Sequence, residues 1–166
     1  MIRALPARHI KRIFSQRLGV IREKERVKMQ DKLTENEIGT ILITTAIDIH
    51  RSLGPGLFES VYETVLAHDL EENGLTVKRE VPIGIEYKDI KFDEAFRADL
   101  ILNDKVIVEL KSVEQLTRAH RKQLLTYLRL SGKKLGYLLN FGEALLKDGI
   151  IRIVNGLTEE NLRVKE

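Results

Sequence analysis

The sequence contains no cysteine, no tryptophan and only three prolines among its 166 residues. Without cysteine, disulfide bonds, thiolate catalysis and cysteine-ligated zinc sites are excluded. No apolar run approaches the length of a membrane span, and no secretory hydrophobic segment is visible. We therefore expect a cytoplasmic protein with no membrane partner. The whole chain is 43% hydrophobic and 32% charged, which is an ordinary globular composition. Its length suits one domain with a hydrophobic core.

Acidic residues are scarce in residues 1–28, where nine Lys or Arg face two Glu, a net charge of +7. The whole chain carries +3, so residues 29–166 are net −4 and are not broadly basic. Three readings of the basic segment stay open: a disordered or loosely helical arm that grips phosphate, a targeting-like sequence, or residues upstream of the true start. The last is favoured, since a domain could begin at Met29. Oligomeric state is not readable from the sequence.

Hydrophobic periodicity divides residues 29–166 into helices and strands. A capping box at Thr34 and Glu37 begins the first helix, and a glycine loop separates it from a second helix whose inward face would include Leu57 and Val61. Pro82 suggests that the first strand is an edge strand or carries a bulge. The sequence predicts a single α/β domain with a mixed sheet flanked by helices. The elements are helices near 35–53, 57–73 and 114–131, and strands at 77–87, 135–140 and 150–154 around a hairpin at 92–111.

The hairpin carries charged residues inside two otherwise apolar strands. Strand alternation places the apolar sets on one face only if Leu102 pairs with Val106 across a three-residue loop. In that register Asp99 lies opposite Glu109, with Cβ atoms roughly 5 Å apart. A two-residue turn at the same place would put these two carboxylates on opposite faces of the hairpin.

Two facing carboxylates destabilise a sheet unless a positive group lies between them. Lys111 shares their face, but a hard divalent cation resolves the conflict better, because Mg²⁺ binds carboxylates together with substrate oxygens. Asp99, Glu109 and Lys111 are therefore candidates for a metal-dependent site. The alternative is a surface hairpin with an ordinary charge cluster.

Further candidates lie on the predicted helices. Glu59 is in a first helical turn, where it serves either the helix dipole or the metal as a third carboxylate. Gln123 and Tyr127 are four residues apart on one face, which allows either a simple Gln–Tyr hydrogen bond or a contact with a phosphodiester backbone. Weaker candidates for phosphate contact are His50, Arg118 and Arg121. For His50, hydrogen bonding to terminal helix carbonyls is the favoured role.

Several motifs resemble the GxxExxY proteins of the PD-(D/E)XK nuclease superfamily. The segment Gly56-Leu57-Phe58-Glu59-Ser60-Val61-Tyr62 is similar to the family signature. Asp99 matches the superfamily aspartate, although Ala98 stands where the motif has proline. Glu109-Leu110-Lys111 matches (D/E)-x-K, and Gln123 with Tyr127 matches a Gln-x-x-x-Tyr pattern. The resemblance covers about residues 34–156 and implies a restriction-endonuclease-like core.

The resemblance also implies an activity, hydrolysis of DNA phosphodiester bonds with Mg²⁺ or, in its place, Mn²⁺. The implied metal ligands are Asp99, Glu109, the Leu110 carbonyl and Glu59, with Lys111 acting on the attacking water. Gln123 and Tyr127 would position the lysine, the water or the substrate. Two alternatives remain open: a catalytically inactive nuclease-like module that binds nucleic acid or protein, and a metal-dependent hydrolase of small phosphoesters.

Overall fold

The computed structural model describes residues 32–157. The predicted basic extension, residues 1–28, lies outside this range, and its assignment stays a prediction. Within the described range, no helix combines the length and the apolar character that a membrane crossing requires.

Two helices open the described part of the chain, α1 (Glu35–Leu53) and α2 (Glu59–Glu72). The predicted capping box is present: the Thr34 hydroxyl accepts from the Glu37 amide, and the Glu37 carboxylate accepts from the Thr34 amide at 2.7 Å. The loop that joins the helices requires glycine, because Gly54 and Gly56 adopt φ values of 72° and 103°. The turn between α1 and α2 is thus set by residues without a Cβ atom.

Five strands form one mixed sheet in the spatial order β1-β2-β3-β4-β5. β3 and β4 are parallel, and the other neighbouring pairs are antiparallel. The outer strand β1 contains Pro82 and shifts register between Ile83 and Ile85, as the proline suggested. The strands are β1 (Val77–Tyr87), β2 (Ile90–Leu102), β3 (Val106–Lys111), β4 (Leu135–Asn140) and β5 (Ile150–Val154).

A third helix, α3 (Arg118–Ser131), connects the parallel strands β3 and β4 and ends at Gly132 in the left-handed conformation. β3 and β4 are almost wholly buried, since they lie at the centre of the sheet. Leu124, Tyr127 and Leu128 of α3 pack against one side of this centre. A short 3₁₀ turn (Leu146–Gly149) precedes β5. The mixed sheet with three helices confirms the predicted single α/β domain of restriction-endonuclease-like type.

Two local predictions were wrong. The second helix begins at Glu59 instead of Leu57, and its inward face is formed by Tyr62, Glu63, Leu66, Ala67 and Leu70. Leu57 and Val61 are both 39% exposed. Leu57 precedes the helix, and Val61 lies outside its buried face. The third helix begins at Arg118, four residues after the predicted start, where the Thr117 side chain caps it.

Candidate active site

The β2–β3 hairpin has the register that the apolar alternation predicted. Leu102 pairs with Val106 and Leu100 with Val108 across a three-residue loop, in which Asn103 and Asp104 adopt φ values of 47° and 55°. Short polar residues are the non-glycine residues that tolerate this left-handed conformation best. The register therefore directs Asp99 and Glu109 toward each other just beyond the last paired residues.

Beyond the last backbone pair of β2 and β3, the two carboxylates supply the hydrogen bonds between the strands. Asp99 Oδ2 accepts from the Leu110 amide at 2.7 Å, and Glu109 Oε1 accepts from the Asp99 amide at 3.4 Å. Each carboxylate thus binds the backbone of the opposite strand, whereas the backbone pairing ends at Leu100 and Val108. Two carboxyl groups are thereby fixed within one small region of the sheet.

Both carboxyl groups resist ionisation in this position. Glu109 is only 3% exposed, and burial followed by the charge of Asp99 raises its pKa to about 8. Burial is also the main cause that raises the pKa of Asp99, although its hydrogen bond from Leu110 and the charge of Lys111 work against the shift. A cation placed between such groups would favour their charged forms. This pair of hard, closely placed oxygen donors fits Mg²⁺ or Mn²⁺.

Lys111 joins the pair to a third carboxylate. Its Nζ donates to the Leu110 carbonyl at 2.7 Å and lies 4.0 Å from Glu109 Oε2 and 3.9 Å from Glu59 Oε2. The lysine side chain is 18% exposed, against 45% for Glu59. The site thus opens toward solvent on the Glu59 side, and the carbonyl of Leu110 faces the ammonium group.

Glu59 is held in place by the residues around the glycine loop. Its Oε1 accepts from the Ser112 amide at 3.0 Å, which links the start of α2 to the end of β3. Tyr62, one turn later, donates its hydroxyl to the Gly54 carbonyl at 2.6 Å and accepts from the Leu57 amide at 3.2 Å. The tyrosine therefore fastens the loop that precedes Glu59. The sequence did not predict these hydrogen bonds of Tyr62, because backbone groups of a loop leave no mark in the sequence pattern.

Gln123 and Tyr127 meet on α3 as their spacing predicted, with the glutamine amide donating to the tyrosine hydroxyl. Burial raises the pKa of Tyr127, and the charges of Glu109 and Asp99 add to the effect. Tyr127 belongs to the same buried cluster as Ala98, the residue before Asp99 in β2. The ring also stacks on Phe96 of β2, with centroids 4.4 Å apart.

The weaker candidates lie elsewhere or make other contacts. His50 is buried and its Nε2 is 3.0 Å from the Glu143 carbonyl, to which it must donate because a carbonyl oxygen only accepts. The imidazole therefore ties α1 to the loop after β4. Arg118 and Arg121 are exposed near the start of α3 and form no ion pair with another residue of 32–157.

Asn140, at the end of β4, is a site-supporting residue that the sequence did not reveal. It is fully buried, and its amide group binds both backbone atoms of Val113: Oδ1 accepts at 3.0 Å and Nδ2 donates at 2.8 Å. Because Val113 follows Lys111 by two residues, Asn140 fixes the chain as it leaves the candidate site. An asparagine that ends an apolar strand was the available signal.

Replacing Asn140 with alanine is expected to lower the free energy of unfolding by about 2–4 kcal/mol. The substitution would leave the partly buried N–H and C=O of Val113 without these partners. Urea denaturation of Asn140→Ala measures the loss. The control is Asn36→Ala, which removes an exposed hydrogen bond to Arg152 and should change stability by less than about 1 kcal/mol. Equal effects of the two substitutions would contradict the role of Asn140.

Potential metal ligands also occur on α2, outside the hairpin. Between residues 32 and 157, the one group of three side chains with ligand atoms within 4.8 Å of one another is His68, Asp69 and Glu72. His68 and Glu72 are exposed, and such clusters are common without an ion. Glu59, Asp99 and Glu109 do not form a group of this kind, and Lys111 lies within 4.0 Å of both Glu59 and Glu109.

The order of elements and the mixed five-stranded sheet define a restriction-endonuclease-like domain. The chain belongs to the PD-(D/E)XK nuclease superfamily, whose family model matches residues 36–153. This range includes α2, the hairpin and α3, so every element that carries the candidate site falls within the match. No curated protein and no solved structure matches the chain significantly.

Proposed function

We propose that this protein is a divalent-metal-dependent nuclease that hydrolyses DNA phosphodiester bonds. The observation that carries the proposal is the pair of half-buried Asp99 and buried Glu109, each bonded to the other's strand, with Lys111 beside them. Membership of a nuclease superfamily supports a nucleic-acid substrate. The segment from Gly56 to Tyr62 supports a finer placement among the GxxExxY proteins.

The residues proposed to hold Mg²⁺ or Mn²⁺ are Asp99, Glu109 and the Leu110 carbonyl, with Glu59 completing the shell or holding a second ion. All four supply oxygen, the ligand that these cations prefer. When bound, the ion would polarise a phosphate oxygen and lower the pKa of water. Glu109 would have to lose its proton to bind the ion, because a protonated carboxyl is a poor ligand.

Lys111 is proposed to orient the attacking water, help remove its proton and offset negative charge in the transition state. Its ammonium already lies within 4.0 Å of carboxylate oxygens of Glu59 and Glu109 and donates to the Leu110 carbonyl. It can therefore be held in place without any contact from the substrate. Tyr127 and Gln123, which are joined by a hydrogen bond, would position the lysine, the water or the DNA backbone.

The three weaker candidates for phosphate contact, His50, Arg118 and Arg121, differ in their exposure. The exposed side chains of Arg118 and Arg121 are able to meet a phosphate backbone that approaches α3. His50 is buried and donates to the Glu143 carbonyl, so we assign it a structural role in place of phosphate contact.

Cleavage of linear, circular and single-stranded DNA in Mg²⁺, in Mn²⁺ and in EDTA tests the proposal. We expect cleavage in both metals and none in EDTA, since the carboxylate pair serves the reaction through the ion. Cleavage of the circular substrate would identify endonucleolytic cutting. Wild-type protein that binds neither metal by calorimetry and cuts no substrate would contradict the proposal and favour the inactive binding module.

A further inference from the structure

Phe58 is the most exposed of the large hydrophobic side chains in residues 32–157. Its exposed fraction is 83%, compared with 63% for Tyr87 on the β1–β2 hairpin. Leu57 and Val61 beside it are each 39% exposed. With 83% of the residue exposed, the ring packs little against the domain and is available for contact with another molecule.

The position of Phe58 connects it to the candidate site. It immediately precedes Glu59, and both line a cleft of about 620 Å³ together with Gly56, Leu57, Ser60 and Ser112. Ser112 follows Lys111 directly. The cleft is therefore lined both by the exposed ring and by Glu59, one of the proposed metal ligands.

The backbone that carries the ring is fixed in several places. The Phe58 carbonyl accepts from the Val61 amide at 3.0 Å, and the Ser112 hydroxyl donates to the Leu57 carbonyl at 2.9 Å. Glu59 binds the Ser112 amide on the other side. A ring mounted on a fixed backbone can bind a flat partner with little further loss of entropy.

We propose that Phe58 stacks on an unpaired nucleobase and thereby directs the site toward single-stranded DNA or single-stranded ends. This inference rests on the proposed nuclease function. Base–aromatic stacking tolerates any sequence, because every base has a π-face. Inside a duplex those faces are covered by neighbouring base pairs, so the ring can reach them only where the strand is unpaired. The hydroxyl groups that Ser60 and Ser112 contribute to the lining suit a nucleotide better than an apolar peptide.

The absence of tryptophan from the chain permits a direct test. In Phe58→Trp the new indole is the single tryptophan, and stacking on a base is expected to quench its emission. The variant is titrated with oligothymidine and with a relaxed, covalently closed circular duplex, in EDTA so that nothing is cut. Quenching by oligothymidine and much less by the duplex supports the inference. The matched control is Tyr87→Trp, whose emission should stay unchanged with either ligand.

A second variant measures the contribution to binding. Phe58→Ala should weaken oligothymidine binding roughly ten-fold or more, and Phe58→Tyr should restore it. Cleavage of single-stranded DNA by Phe58→Ala should show a larger rise in KM than fall in kcat, whereas Tyr87→Ala should behave as wild type. Wild-type affinity in Phe58→Ala would overturn the inference and favour a protein partner for the exposed ring.

Failure of the nuclease proposal is distinguishable from failure of the stacking proposal. The fluorescence titration requires no cleavage, so quenching in a protein that cuts no DNA would support stacking and contradict the nuclease function. Cleavage of single-stranded DNA by wild type, combined with no quenching in Phe58→Trp, would overturn stacking and leave the nuclease function supported.

Discussion

Lys111→Ala is expected to reduce DNA cleavage by a factor on the order of 10²–10⁴, the usual contribution of a positioned proton-transfer group or charge stabiliser. In residues 32–157, Lys111 is the cation whose charge lowers the pKa of both Asp99 and Glu109. The substitution removes the ammonium from a region with three carboxylates and leaves the strand backbone in place. Single-turnover cleavage with saturating metal measures the effect on chemistry.

Lys133→Ala is the matched control for this substitution. The Lys133 side chain is 14% exposed and donates to the Asp104 carbonyl at 2.8 Å, so its shielding and its carbonyl contact resemble those of Lys111 at 18%. Its loss should leave cleavage within about two-fold of wild type, because Asp104 belongs to the hairpin loop. Lys111→Arg keeps the charge but cannot give up a proton, so partial recovery in that variant would assign the lysine to charge stabilisation. A wild-type rate in Lys111→Ala would contradict the proposed mechanism.

Glu109→Gln is expected to stabilise the metal-free protein at alkaline pH and to abolish metal-dependent cleavage. The glutamine oxygen can still accept from the Asp99 amide, and the substitution removes a negative charge from a buried position. In the wild type, the unfolded chain loses the Glu109 proton near pH 4.5, whereas the folded protein keeps it until about pH 8. Stability contributed by the neutral carboxyl is therefore complete below pH 4.5 and falls as pH rises toward 8, by on the order of a few kcal/mol in all.

Urea denaturation in EDTA at several values between pH 5 and 9 measures this difference. Wild type and Glu109→Gln should converge at acid pH and diverge as the pH rises, with the variant more stable at pH 8 and above. Glu86→Gln, which alters an exposed carboxylate paired with Lys91, should follow the wild type. Mg²⁺ at pH 8 should stabilise the wild type and have little effect on Glu109→Gln. Parallel pH curves for wild type and Glu109→Gln would show that burial does not hold the proton on Glu109.

The sequence predicted the hairpin well because local rules determine it. Strand alternation and the tolerance of Asn103 and Asp104 for the left-handed conformation are sufficient to fix the pairing of Leu102 with Val106. The five strands likewise follow from apolar runs between turn residues. The candidate pair Asp99 and Glu109 could be recognised for the same reason, since its position depends on register alone.

Long-range contacts could not be predicted. The His50 imidazole reaches the Glu143 carbonyl, 93 residues away, and Asn140 binds the backbone of Val113 across 27 residues. Neither partner is indicated by spacing or hydrophobicity, because both partners are backbone groups. The exposure of Leu57 was missed for a related reason: an apolar residue before a helix was assigned to the core by periodicity, although the helix begins only at Glu59.

The order of strands in the sheet has a consequence for synthesis of the chain. β3 carries Glu109 and Lys111, yet its second neighbour is β4, which is translated only after α3. A nascent chain that ends before Leu135 lacks the parallel strand that pairs with β3 from Val106 to Lys111. The two hydrogen bonds between Asn140 and Val113, which fix the path of the chain after Lys111, therefore cannot form before residue 140 has left the ribosome. The chain therefore completes its proposed site late in its own translation, after most of its length has been made.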